Sequence, residues 1–362
     1  MSRPYGGWLA RNVEYETIKG DKKSVNQSTL PLRKEAYAAT RKRMEAGNVF
    51  LYHLAEGRVP SLIKEYTELK AEGCVRAELI GIHSTALRRA QFDDWASSGA
   101  GAIVWSPLSN LWLYRETADV VAARAAGLTV CLGSDWAPSG SKNILGELKV
   151  ADLWNRERLN GTFSDQALCE MVTVNPASAL KWGRLLGRVK RGLHADLLVT
   201  AKRAADPYRN LIESTERDVQ LVMVGGRPVY GTSRLMRAAG AWKPEPIVVD
   251  GQSRAISLLI DGVADADMTW KETIRTLEQA RRDPAGMAER GAEREPGVTP
   301  LRLFPDLPGG QPPAERRDID LTKVKIGPLD SLAHDAKFFN SLKRAPILDG
   351  QLNGLRVYYR RA

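Results

Sequence analysis

Between residues 30 and 183 short apolar runs alternate with amphipathic stretches, and the unit recurs at intervals of about 25 to 30 residues. This alternation constrains the fold more than any other property of the chain. A strand that returns parallel to its neighbour needs a crossover connection, which is right-handed and usually helical. The runs expected as strands are Leu9 to Tyr15, Val49 to His53, Ala77 to His83, Ala102 to Trp105 and Leu128 to Leu132. Helices are expected over Leu32 to Ala46, Pro60 to Glu72, Gln91 to Ser98 and Thr117 to Ala126; in the second, Leu62, Ile63, Tyr66 and Leu69 share one face. The fold class is therefore α/β, a barrel or a doubly wound sheet.

After Phe163 two further helices are expected, Ser164 to Thr173 and Pro176 to Trp182, and then the pattern changes. Ala195 to Thr200 and Val219 to Val224 read as strands. The turn Gly225-Gly226-Arg227-Pro228 leads to Val229-Tyr230 and makes a hairpin of a small β-unit. Beyond residue 240, Ile256 to Ile260 reads as a strand, Thr269 to Arg281 as a helix, and the stretch around Asp335 to Lys343 as another helix. Residues 284–313 are rich in Gly, Pro, Arg and Glu and read as a disordered linker. The expected domains are 1–183, 184–235 and an extension over 236–362.

Hydrophobic content of 43% and charged content of 27% suit a globular chain and exclude a disordered one. No run approaches the roughly 18 consecutive apolar residues of a membrane span, and the first residues lack the apolar core of a secretory signal. Cys74, Cys131 and Cys169 are far apart in apolar contexts, so buried thiols in a reducing compartment, the cytoplasm, are expected. The net charge of +10 is dispersed: Arg41-Lys42-Arg43, Arg88-Arg89 and Arg281-Arg282 sit among acids or on helix faces without interleaved aromatics. No nucleic acid or membrane partner is expected, and self-association into a homo-oligomer stays open.

Chemistry-bearing residues fall where strands give way to loops. The segments are Tyr52-His53-Leu54-Ala55-Glu56-Gly57, Gly81-Ile82-His83-Ser84 and Leu132-Gly133-Ser134-Asp135-Trp136, with Trp105-Ser106-Pro107-Leu108-Ser109-Asn110 between the last two. A strand-terminal His with a Glu three residues on can set a metal ligand and a proton shuttle beside one water. Taken singly, each has a plainer reading: a buried histidine with a local hydrogen bond, or a Gly-Ser-Asp turn or cap. Taken together, they stand at the C-terminal ends of successive strands, the face of a barrel where chemistry is done. Trp105, Ser109 and Asn110 are expected to meet substrate, with a Ser-Pro turn followed by an Asn cap as the plain alternative. Trp105, Trp112 and Tyr114 could line an aromatic pocket for a flat heterocycle, although packing is the plainer role for Trp112.

The order of these motifs resembles the amidohydrolase superfamily, in particular its cytosine deaminase, guanine deaminase and chlorohydrolase-like branch. His53 to Glu56, His83, Ser106 to Asn110 and Gly133 to Asp135 match the ends of its fifth to eighth strands. Ser139 to Asn143, Thr173 to Ala177, and Gly187 to Val199 are similar to segments that follow. The resemblance covers roughly residues 9 to 232 and implies a TIM-like barrel with an appended β-sandwich and a mononuclear metal hydrolase acting on C–N bonds of a small-molecule substrate. His53 and Asp135 would hold one divalent metal, Zn or Fe. His83 would orient the attacking water, Glu56 would shuttle its proton, and Asp135 could also accept one.

The family's first strand ends in His-x-His, and this sequence contains none: its histidines are His53, His83, His194 and His334. His194 suits an exposed place in the β-unit and His334 a helix start, so neither is expected as a replacement ligand. Five assignable strands of eight make the chain read as a partial barrel, with the start of the family fold missing and Met1 an internal methionine or the gene truncated. Metal binding and turnover are then expected to be weak. The competing function is a non-catalytic amidohydrolase descendant acting by protein association.

Overall fold

The computed structural model describes residues 25–28, 34–136, 139–249, 251–259 and 269–294, and in the tail 322, 340, 350 and 352–359. Its first layer is a parallel sheet of β1 (Val25–Ser28), β2 (Val49–Leu54), β3 (Leu79–His83), β4 (Ala102–Trp105) and β5 (Thr129–Leu132), paired in sequence order. Helices α1 (Lys34–Glu45), α2 (Ile63–Ala71), α3 (Arg89–Ser97), α4 (Pro107–Tyr114) and α5 (Val120–Ala125) fall between the strands in sequence. The expected strand Leu9 to Tyr15 lies outside the described residues. The strand beside β2 is Val25–Ser28, whose Asn-Gln-Ser composition gives no apolar signal.

Period-two alternation divides the sheet into two faces. Phe50, Tyr52 and Leu54 join Leu79, Ile103, Trp105, Val130 and Leu132 in the main core with Tyr66, Leu69, Phe92 and Trp95 of the helices. The opposite face carries a smaller cluster, Val49, Ile80, Ala102 and Cys131, one residue from each of β2 to β5. His53 belongs to this second face, because it pairs with Ile82 while Leu54 pairs with His83.

The chain continues through α6 (Ile144–Arg158), α7 (Asp165–Glu170) and α8 (Val174–Ala179). Each of α5, α6 and α7 starts on a side-chain cap: Asp119 on the Ala122 N–H, Asn143 on the Gly146 N–H, Ser164 on the Ala167 N–H. A second sheet is antiparallel: β6 (Leu197–Thr200), β7 (Val219–Val224), β8 (Arg227–Gly231), β9 (Glu245–Val249) and β10 (Gln252–Ile256), in the order 6-7-8-10-9. Helix α9 (Pro207–Glu213) separates β6 from β7, and α10 (Ser233–Ala238) separates β8 from β9. This sheet runs past residue 235, where the sequence suggested a boundary, because β10 pairs with β8. The strand expected at Ile256 to Ile260 is displaced to Gln252–Ile256.

Helices α11 (Trp270–Arg282) and α12 (Pro284–Arg294) follow. Residues 284–294 were expected as the start of a linker and are helical; the rest of that stretch, and nearly all of the tail helix expected at Asp335 to Lys343, lie outside the described residues. A short helix, α13 (Arg356–Tyr359), ends the described tail. All three cysteines are free and buried. No helix among the described residues is long and apolar enough to cross a membrane.

Candidate active site

Four of the nine non-glycine residues with left-handed backbone among the described residues lie at or just after the C-terminal ends of β2, β3 and β5. Ala55 (φ 49°), His83 (φ 64°), Ser84 (φ 53°) and Asp135 (φ 57°) all adopt it, a conformation that costs energy and recurs at functional sites. At His83 the reason is visible. Register assigns it to the face of Leu54, away from His53, yet its ring centroid lies 5.3 Å from that of His53. The left-handed turn takes His83 off the alternation and over to its partner. At Asp135 the turn is held from behind by Gly140, where a Cβ would collide with the Ser134 carbonyl. The Ala55 N–H donates to Glu65 of α2 (2.8 Å), fixing the turn that carries Glu56.

His53, Glu56 and His83 offer ligand atoms all within 4.8 Å of one another. His83 Nε2 stands 3.5 Å from Glu56 Oε1 and 3.9 Å from Asp135 Oδ2. The Tyr114 hydroxyl donates to Glu56 Oε1 (2.8 Å). The His83 side chain is 2% exposed, against 28% for Glu56 and 19% for Asp135, so the imidazole forms the floor and the carboxylates the rim. Burial pushes His83 below the usual imidazole range against the pull of Glu56, which leaves it neutral near pH 7. Burial and the bond to Glu56 push the Tyr114 phenol well up, so it stays a donor. His53 Nδ1 is buried without a hydrogen-bond partner. A cavity of about 500 Å³ opens beside Glu56 and Tyr114, walled by Val59, Leu62 and Leu113 and edged by Arg58 and Arg115.

Four residues expected to act together, His53, Glu56, His83 and Asp135, are thus gathered. The expected substrate residues differ. Ser106 to Asn110 is not a loop: Pro107 opens α4 behind Ser106 at the N-cap. Trp105 and Asn110 are fully buried and engaged within the protein, Trp105 with Thr117 and Asn110 with His83 and Thr117. Ser109 is equally buried, and its hydroxyl has no partner. His194 is half-buried ahead of β6 and outside the metal-competent group; His334 lies outside the described residues.

Sequence reading missed Thr117, the bond of Tyr114 to Glu56, and Glu147. The fully buried Glu147 carboxylate accepts from the Leu108 N–H (2.9 Å) and from the Ser141 hydroxyl, joining α6 to the start of α4 and to the segment after Asp135. The spacing of Asn110 and Tyr114, four residues apart, would have put both on one face had α4 been recognised.

Two histidines and two carboxylates stand at the C-terminal ends of parallel strands in an α/β fold, and three of them, His53, Glu56 and His83, are close enough to share a cation. Residues 35–229 match the amidohydrolase family, and the chain belongs to it. A curated relative, the 5-methylthioadenosine/S-adenosylhomocysteine deaminase of Nitratidesulfovibrio vulgaris, is 32% identical over 165 residues, 43% of this chain and 37% of that protein. Among solved structures, a zinc-bound adenosine deaminase from Xanthomonas campestris superposes with a TM-score of 0.51 at 22% identity, covering 58% of this chain and 53% of that one. The guanine deaminase of E. coli gives 0.50 at 20% identity, covering 59% and 56%. This chain spans less than half the length of that curated relative.

Proposed function

We propose that this site belongs to a metal-dependent hydrolase of carbon–nitrogen bonds other than peptide bonds, acting by cyclic amide or amidine hydrolysis or by deamination of a heterocycle. The observation that carries the reading is the convergence of His53, Glu56 and His83 within 4.8 Å, with Asp135 alongside. The unpartnered, buried Nδ1 of His53 suits a metal ligand, since a buried imidazole nitrogen left unpaired is otherwise costly. His53 and Asp135 would hold one divalent cation, Zn or Fe, which when bound acidifies a water and stabilises developing negative charge. Glu56 takes the proton from the attacking water and delivers it to the leaving nitrogen. Tyr114 keeps that carboxylate aimed, and His83 orients the water. Ser109, the one expected substrate residue with an unspent polar group, remains the candidate contact.

In this reading the parallel sheet is part of a (β/α) barrel, and the antiparallel sheet is a remnant β-sandwich. The name of the curated relative makes aminated purine nucleosides the first substrates to test. The 362 residues contain no His-x-His, so in this reading they supply two of the family's ligands, His53 and Asp135, and by themselves would hold a cation less tightly than a three- or four-ligand site. The same lack favours the second reading, a protein-associating descendant without catalysis.

Ammonia release from 5′-methylthioadenosine and S-adenosylhomocysteine, measured with added zinc, decides between them. The hydrolase reading expects slow release that falls by about 100-fold or more in Glu56→Gln. Equal background release by both proteins overturns it and leaves the association reading.

A further inference from the structure

We propose that Trp105 and Thr117 are positioning residues that lock His83 in the tautomer bearing its proton on Nε2, making His83 a hydrogen-bond donor into the site and not a ligand through that nitrogen. A chain of hydrogen bonds runs from Trp105 through Thr117 and Asn110 to His83. An indole N–H can only donate, and Trp105 Nε1 gives its proton to Thr117 Oγ1 at 2.6 Å. The Thr117 hydroxyl has a single proton, which goes to Asn110 Oδ1 at 3.2 Å. That sets the Asn110 amide, so its NH2 group faces His83 Nδ1 at 3.0 Å. A donor facing a ring nitrogen requires a lone pair there, and the ring proton is therefore on Nε2.

The near end agrees independently. His83 Nε2 faces Glu56 Oε1 at 3.5 Å and Asp135 Oδ2 at 3.9 Å, and both oxygens offer lone pairs to an N–H. Reversing the Asn110 amide would take from the Thr117 hydroxyl the protein acceptor it has among the described residues, and would aim an imidazole lone pair at two carboxylates. Trp105 and Asn110 are 0% exposed and His83 2%, so bulk water does not reach the Asn110–His83 end of the relay; Thr117 is half-buried. Of the three groups near enough to share a cation, His53 and Glu56 keep free electron pairs, and the third presents N–H.

The purpose of the lock rests on the hydrolase reading, but its test needs neither cation nor substrate. The full chain, metal-free and labelled with 15N-histidine, is studied by long-range proton–nitrogen correlation, with His83 assigned from the spectrum of His83→Gln. The wild type is expected to show one His83 tautomer, protonated at Nε2. Thr117→Val and Trp105→Phe are expected to lose this single population and show both tautomers, while Thr117→Ser keeps the wild-type pattern. A wild-type His83 protonated at Nδ1 overturns the proposal. So does an unchanged single tautomer in Thr117→Val, a nearly isosteric change that keeps the question open to test even if Trp105→Phe disturbs the core. Absent ammonia release with an intact tautomer pattern would sink only the hydrolase reading.

Discussion

His53 and Glu56 stand three residues apart on one strand end, yet their surroundings assign them different tasks. The His53 ring has a buried nitrogen with nothing to bond, whereas Glu56 is rim-exposed and already accepts from Tyr114. A group whose electron pair is unspent suits a cation, and one held by a neutral donor suits a proton in transit. His53→Ala is therefore expected to weaken zinc binding by at least ~10-fold in a chelator competition, with Glu56→Gln close to wild type. An equal loss in both variants would make Glu56 a ligand and remove the shuttle. Tyr114→Phe should lower turnover by about tenfold with little change in zinc binding, the cost of one hydrogen bond to a charged group. Unaltered turnover in that variant would mean the phenol does not aim Glu56.

At the scale of elements, the site depends on how α4 is seated, and α6 seats it. Glu147 is enclosed in the protein, and burial pushes its carboxyl up to about 8, against the opposing bonds from Ser141 and the Leu108 N–H and with help from Asp135. The folded state then holds a proton that the unfolded chain, titrating near 4.5, releases sooner. The contribution of Glu147 is full below pH 4.5 and is lost as pH rises through about 8. Glu147→Gln keeps an acceptor for Leu108 and removes the titration. Its melting temperature at pH 8 should exceed that of the wild type by on the order of a few degrees, the gap closing toward pH 5. Parallel melting profiles would show that Glu147 does not titrate in this range. The strands β2 to β5 and the four gathered residues were legible because periodicity and strand-end position are properties of sequence. Helix α6 was not: Glu147, Lys149 and Asp152 are buried beside Leu148, Val150 and Leu153, so no polar face marks the helix. Helix α4 is hidden in the sequence because Ser-Pro-x-Ser-Asn suits a turn as well as an N-cap with Pro at its first position. The reach of His83 to His53 depends on a left-handed φ that alternation cannot show.

At the scale of the whole molecule, the end of the chain returns to the first sheet's helical layer. Leu352, Leu355 and Tyr358 are buried in the main core, about 200 residues after α6, against which they pack. The Tyr358 hydroxyl donates to Asp152 and accepts from Arg156, both on α6. Asp152 is 1% exposed and also pairs with Arg209 of α9 at 2.8 Å, while Arg209 in turn bonds Asp165 of α7. A buried carboxylate is tolerable only when it is paired and hydrogen-bonded, so the tail completes an ionic knot that ties three helices together. Leu355→Ala is expected to cost about 2–5 kcal/mol by opening a cavity in the core. Tyr358→Phe is expected to cost about 1–3 kcal/mol, because Asp152 keeps its two arginines, Arg209 and Arg156, but loses a donor. Both are measured by urea unfolding of the full chain, and the helix α6 linkage predicts one cooperative transition in which tail and sheet unfold together. Two separated transitions, with Leu355→Ala moving only the first, would mean that the tail is an independent unit resting on the fold and not a part of the core that holds Glu147 and the site in place.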